Sequence, residues 1–213
     1  MQWMTPEKTM YIYHYSKERY KDLRSLRCQN KLTKKELDDL DTQYTLGFNP
    51  DKYTKSISFF VEPIPYDIIG DLFNNKHNVW KNGNNLYEYL VDVDTLEKNI
   101  LFMVAESPAK SKYYLSQDTD NMSDEEFDKY LKIVEKVMYK NKDIGIGRSQ
   151  LETQIQRYQG MTRELFIAAR KLPDSESTKE KYAANVPHLM LYPSGGIIQY
   201  KKINTIVIGK SKE

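Results

Sequence analysis

The chain has 213 residues, and its 32 Lys and Arg against 30 Asp and Glu leave a net charge of only +2. That length builds a hydrophobic core without metal or disulfide support, and so even a balance argues against a bulk electrostatic grip on nucleic acid. A single cysteine, Cys28, excludes a disulfide framework and a cysteine-rich zinc site and fits a reducing compartment.

The opening stretch "MQWMTPEKTM" has no apolar signal-peptide core, and no run approaches the roughly 18 apolar residues that cross a bilayer. A cytoplasmic protein is therefore expected, in the host cytoplasm or the virion if the source is viral. The 17 Tyr outnumber the 7 Phe. Phenol rings carry a hydroxyl that needs a partner when buried, so many are expected at half-buried positions or at a protein interface.

Taken in chain order, "MYIYHYS" (10–16) is the first strand, rich in aromatic and β-branched residues. "LTKKELDDLD" then reads as a helix, with Thr33 and Glu36 spaced as a capping box. "SISFFVEP" (56–63) is the second strand, and Pro65 suits the first turn of a helix in "PYDIIGDLF". Two further strands follow at 86–93 and 99–106.

"MSDEEFDKYLKIVEKVMYK" carries a Ser123/Glu126 box and an apolar stripe through Phe127, Leu131, Val134 and Met138, which predicts a helix over 124–140. "DIGIGR" (143–148) lacks the spacing of a phosphate loop and reads as a connection between helices. The spacing of Leu151, Ile155, Tyr158, Leu165 and Phe166 predicts a helix over 149–171. The chain closes on strands at 188–193, 196–202 and 204–210, the first two joined through the hairpin signal "YPSGGI". Strands and helices neither alternate strictly nor segregate, which predicts α+β. A single domain over 1–213 is expected, with a mixed or antiparallel central sheet of about seven strands and packed helices.

Few residues are spaced for chemistry. His14, His77 and His188 are too far apart in sequence for a metal-binding motif, and no G-x-S-x-G elbow occurs. Polar residues at strand ends remain: His14 and Ser16 on the first strand, and Ser56 and Ser58 on the second.

With "YHYS" at the end of the first strand and "TKSISFF" about forty residues on, the chain resembles the ADP-ribosyltransferase-like fold. The closing "HLMLYPSGGIIQYKKINTIVIG" is similar to that family's last strands. The resemblance implies NAD as cofactor and a protein as target. It implies that His14 holds a ribose, that Tyr15, Ser16, Ser56 and Phe59 help to bind the nucleotide, and that Ser58 shapes the nicotinamide pocket. The family's catalytic Glu opens a late strand. Here His188 or, in a shifted register, Gln199 stands at that place, and neither is a carboxylate able to stabilise an oxocarbenium-like ribose. Tyr15 also replaces a family glycine. The alternative expectation is a non-enzymatic phage or virus accessory or structural protein that acts through a tyrosine-rich interface.

Overall fold

The computed structural model describes residues 8–45, 53–65, 85–105, 123, 125, 143–170 and 187–207. Nine strands are described: β1 Tyr11–Ser16, β2 Leu23–Arg24, β3 Ile57–Phe60, β4 Asn85–Asp92, β5 Leu101–Ala105, β6 Asp143–Ile146, β7 His188–Tyr192, β8 Ile197–Ile198 and β9 Lys202–Val207. Two α-helices accompany them among the described residues, α1 Lys34–Thr45 and α2 Arg148–Arg170. Seven strands form one sheet in the order β6-β5-β7-β3-β1-β4-β9. Every neighbouring pair in it is antiparallel. β2 and β8 form a separate two-stranded ribbon. The architecture is α+β.

Strand alternation explains the core. Successive side chains of a strand point to opposite faces. Ile12, Phe59, Tyr89, Val91, Leu189 and Leu191 are buried together, and Leu151, Ile155 and Tyr158 of α2 join the same cluster. Those three recur at helical spacing, so one face of α2 meets the sheet. The capping box of α1 is formed as the sequence implies. The Thr33 main-chain N–H donates to Glu36 Oε2 at 2.7 Å, and the Glu36 N–H donates to Thr33 Oγ1 at 3.3 Å.

Two readings are corrected. "DIGIGR" is not a plain connection, because residues 143–146 pair with β5 as the edge strand β6. Gly145 permits this pairing: a Cβ there would lie 2.5 Å from Cζ of Phe102, so the ring packs directly on the strand's backbone. The "YPSGGI" turn is tight, with the Gly196 N–H donating to the Pro193 carbonyl at 2.9 Å. It does not join a hairpin. β7 pairs with β3 and β5, whereas β8 leaves the sheet to pair with β2. The expected helix over 124–140 and the one begun by Pro65 lie outside the described residues, Ser123, Glu125 and Pro65 itself excepted.

Candidate functional site

β1 and β3 run side by side, with Tyr13 opposite Phe60. Where β1 ends and β3 begins, a cavity of about 540 Å³ opens, within the usual size range of small-molecule sites. His14, Ser56, Ile57 and Ser58 form its floor from the two strands. The segment from Glu18 to Lys31 supplies its wall, with Tyr53 closing one side.

His14 is half-buried, and its Nδ1 lies 2.7 Å from the Ser58 carbonyl. A carbonyl can only accept, so Nδ1 carries the proton. Burial pushes the His14 pKa below its ordinary value, against a smaller upward pull from the Ser58 hydrogen bond, and so favours the neutral ring. In that neutral tautomer Nε2 is a lone-pair acceptor, with no protein partner among the described residues. The imidazole edge also meets the Phe59 ring at 5.8 Å between centroids and the Tyr89 ring at 6.0 Å.

The wall is held from behind. Tyr89 is fully buried, and its hydroxyl donates to the Glu18 carbonyl at 2.7 Å while accepting the Tyr20 N–H at 2.7 Å. The Tyr200 hydroxyl donates to the Tyr20 carbonyl at 2.8 Å. Farther along, Arg27 Nη2 donates to Asp41 at 2.7 Å and to Asp38 at 3.2 Å. Asp41 in turn accepts from the Thr54 N–H at 2.8 Å and the Thr54 hydroxyl at 3.0 Å. This buried carboxylate ties α1 and the wall to the turn that carries Tyr53.

The cavity's charges are partly internal pairs. Lys31 Nζ sits 3.0 Å from Glu18, and Arg24 Nε sits 2.7 Å from Asp22. The hydrogen bonds from Lys31 and Arg24 hold the Glu18 and Asp22 carboxyls below their usual range, so both are ionised at neutral pH.

The sequence-derived candidates are distributed unevenly. His14, Ser56 and Ser58 line one cavity. Ser58 offers His14 its main-chain carbonyl, and the Ser56 hydroxyl donates to the Tyr53 carbonyl at 2.7 Å. Phe59 is fully buried and backs the imidazole from the core. The Ser16 hydroxyl accepts the Glu18 N–H at 3.1 Å, shaping the bend after β1. The Tyr15 hydroxyl donates to the buried Glu88 at 2.6 Å and accepts the Ile64 N–H at 2.9 Å.

His188 is apart from this group. It pairs with Phe60, and its ring lies 4.7 Å from that of Phe60, which in turn meets Tyr15. By strand alternation these three face away from His14, Phe59 and Tyr89, so the sheet separates the two histidines. Burial lowers the His188 pKa to about 4. Gln199 is exposed between β8 and β9 and does not line the cavity.

Sequence reading missed the wall. Tyr20 and Tyr53 are the aromatic side chains lining the cavity, and Lys21, Arg24 and Lys31 are its cations. The available signal was the dense mixture of charge and tyrosine in "SKERYKDLR" directly after the first strand. Among protein-family models, curated proteins and solved structures, none matches this chain.

Proposed function

We propose that the cavity beside His14 binds the ribose of NAD or a related nucleotide, in a protein of ADP-ribosyltransferase-like character. One observation carries this reading. His14 and Ser58, the two residues that the first-strand and second-strand motifs single out, stand on adjacent strands at an open cavity, with the imidazole bonded at 2.7 Å to the Ser58 main-chain carbonyl; by strand alternation the Ser58 side chain itself takes the opposite face, with Phe60. That bond leaves Nε2 as an acceptor, which is what a ribose hydroxyl donates to. Tyr20 or Tyr53 offers a ring face for the base, and Lys21 a cation for phosphate.

Binding without rapid transfer fits the site best. Glycosyl transfer through an oxocarbenium-like ribose needs a free carboxylate beside the anomeric carbon. His188 lies across the sheet, and the carboxylates on the cavity wall, Glu18 and Asp22, are each held by a cation. The interface alternative gains nothing from Tyr15, Tyr89 or Tyr200. The hydroxyls of Tyr15, Tyr89 and Tyr200 all bond inside the molecule.

Calorimetric titration with NAD and ADP-ribose, alongside an assay of nicotinamide release, tests the proposal. Saturable binding with little or no release is expected. His14→Ala is expected to weaken binding by about 1–3 kcal/mol, roughly 5- to 150-fold. No heat from either ligand at millimolar concentration would refute the reading.

A further inference from the structure

We infer that the outer edge of β9 is a self-complementary docking surface, and that the strand it takes is β9 of a second copy of this chain. The seven-stranded sheet ends on β6 at one side and on β9 at the other. An edge strand presents a row of main-chain N–H and C=O groups without partners, and folded chains blunt such edges with short strands, charges, prolines or bulges. β6 is blunted: it is four residues long and carries Asp143 and Gly145. β9 is not. It runs over six residues, Lys202–Val207, with a single charge at its first position and no proline or glycine. Its register against β4 is unbroken from Lys202 opposite Leu90 to Val207 opposite Asn85, so no bulge turns the edge away. Among the described residues, no main-chain group of β9 bonds to anything but β4.

Ile203, Thr205 and Val207 lie on the face of the sheet that carries Tyr89, and Val207 is 60% exposed. Ile203 packs against the rim of the core cluster and stays only half-buried. An apolar side chain set beside Ile203 from outside would complete that rim.

The sequence of β9 selects a second copy over a foreign strand. Residues directly opposite in an antiparallel pair share a face, so a two-fold axis normal to the sheet passes between one residue and its own copy. With Thr205 at the axis, Ile203 stands opposite Val207 of the second copy, and Val207 opposite Ile203 of the second copy. Thr205 meets Thr205, a pair able to hydrogen-bond across the strands. The two Lys202 side chains fall on opposite sides of the axis, roughly 20 Å apart along the strands and beyond the screening length of physiological salt. An axis at Asn204 would instead set Ile203 against Thr205 and lose both apolar pairs. No residue of β9 lines the His14 cavity, so the inference stands whatever fills that cavity.

The test uses the full chain. Sedimentation velocity from about 1 to about 200 µM should show the mass rising from one chain to two. Thr205→Lys sets like charges face to face at the axis and should raise the midpoint concentration at least about tenfold. Disulfide trapping in a Cys28→Ala background reads the register. A facing pair brings its Cα atoms to about 4.5–5.5 Å, within disulfide reach, so Thr205→Cys should cross-link to a dimer on mild oxidation. Val207→Cys, whose two copies would stand roughly 14 Å apart along the strands, should not. A chain that stays monomeric at every concentration, its edge left for a foreign strand, would overturn the inference. So would a dimer that Thr205→Lys leaves unmoved, or trapping of Val207→Cys as readily as of Thr205→Cys. The wild-type mass and the trapping arm decide the matter even if Thr205→Lys misfolds.

Discussion

At the scale of single residues, the two described histidines show how burial sets chemistry. His14 is fixed as a neutral donor to Ser58, and His188 sits against Phe60 with its pKa lowered to about 4. Unfolding returns each imidazole to a value near 6.5, so below that pH the unfolded chain binds more protons than the folded one. The stability due to each ring is therefore complete above about pH 6.5 and lost as pH falls toward the folded value. For His188 the loss approaches about 1.4 kcal/mol per pH unit between roughly 6 and 4. Urea unfolding at pH 7 and pH 5 should show lower stability at pH 5, and His188→Leu should shrink the difference. An unchanged pH dependence in that variant would mean that His188 is protonated in the folded protein.

At the scale of elements, two contacts hold the cavity wall in place. The turn after β7 brings Gly196 against Cys28 with φ +68°, and a Cβ at that glycine would lie 2.2 Å from Sγ. Gly196→Ala should lose about 1–2 kcal/mol from the left-handed backbone alone, and more from the clash. Adding Cys28→Ala should recover part of the clash but not the backbone cost. Thermal unfolding of the single and double variants would show this, and equal melting points would contradict it. The second contact is Tyr89. Tyr89→Phe strips the partner from the Tyr20 N–H and the Glu18 carbonyl, so hydrogen exchange at Tyr20 should accelerate while amides of the β1–β4 ladder stay slow. Uniform acceleration along β4 would instead point to global destabilisation.

At the scale of the whole molecule, most described elements were legible because their signals are local. The Thr33/Glu36 box and the stripe Leu151, Ile155 and Tyr158 each state a period or a cap that neighbouring residues suffice to express. β6 was missed because its pairing depends on Phe102, some forty residues earlier in the chain, covering Gly145. The β7–β8 hairpin failed for a similar reason: a turn motif fixes the turn but not which strand comes next in the sheet. Of the site, His14, Ser56 and Ser58 could be named from strand-end polarity. Tyr20 and Tyr53 could not, since only the tertiary ties through Tyr89 and Asp41 bring them to the cavity.

The proposed nucleotide site requires His14 to be a neutral, Nδ1-protonated ring whose Nε2 is open to a ligand hydroxyl. Nitrogen-15 NMR of the imidazole rings, recorded at neutral pH with and without saturating NAD, tests it most directly. A protonated Nδ1 and a bare Nε2 are expected for His14 in the free protein, with a shift of the Nε2 resonance when NAD is added. A proton on Nε2, or an Nε2 resonance that NAD leaves unmoved, would contradict it.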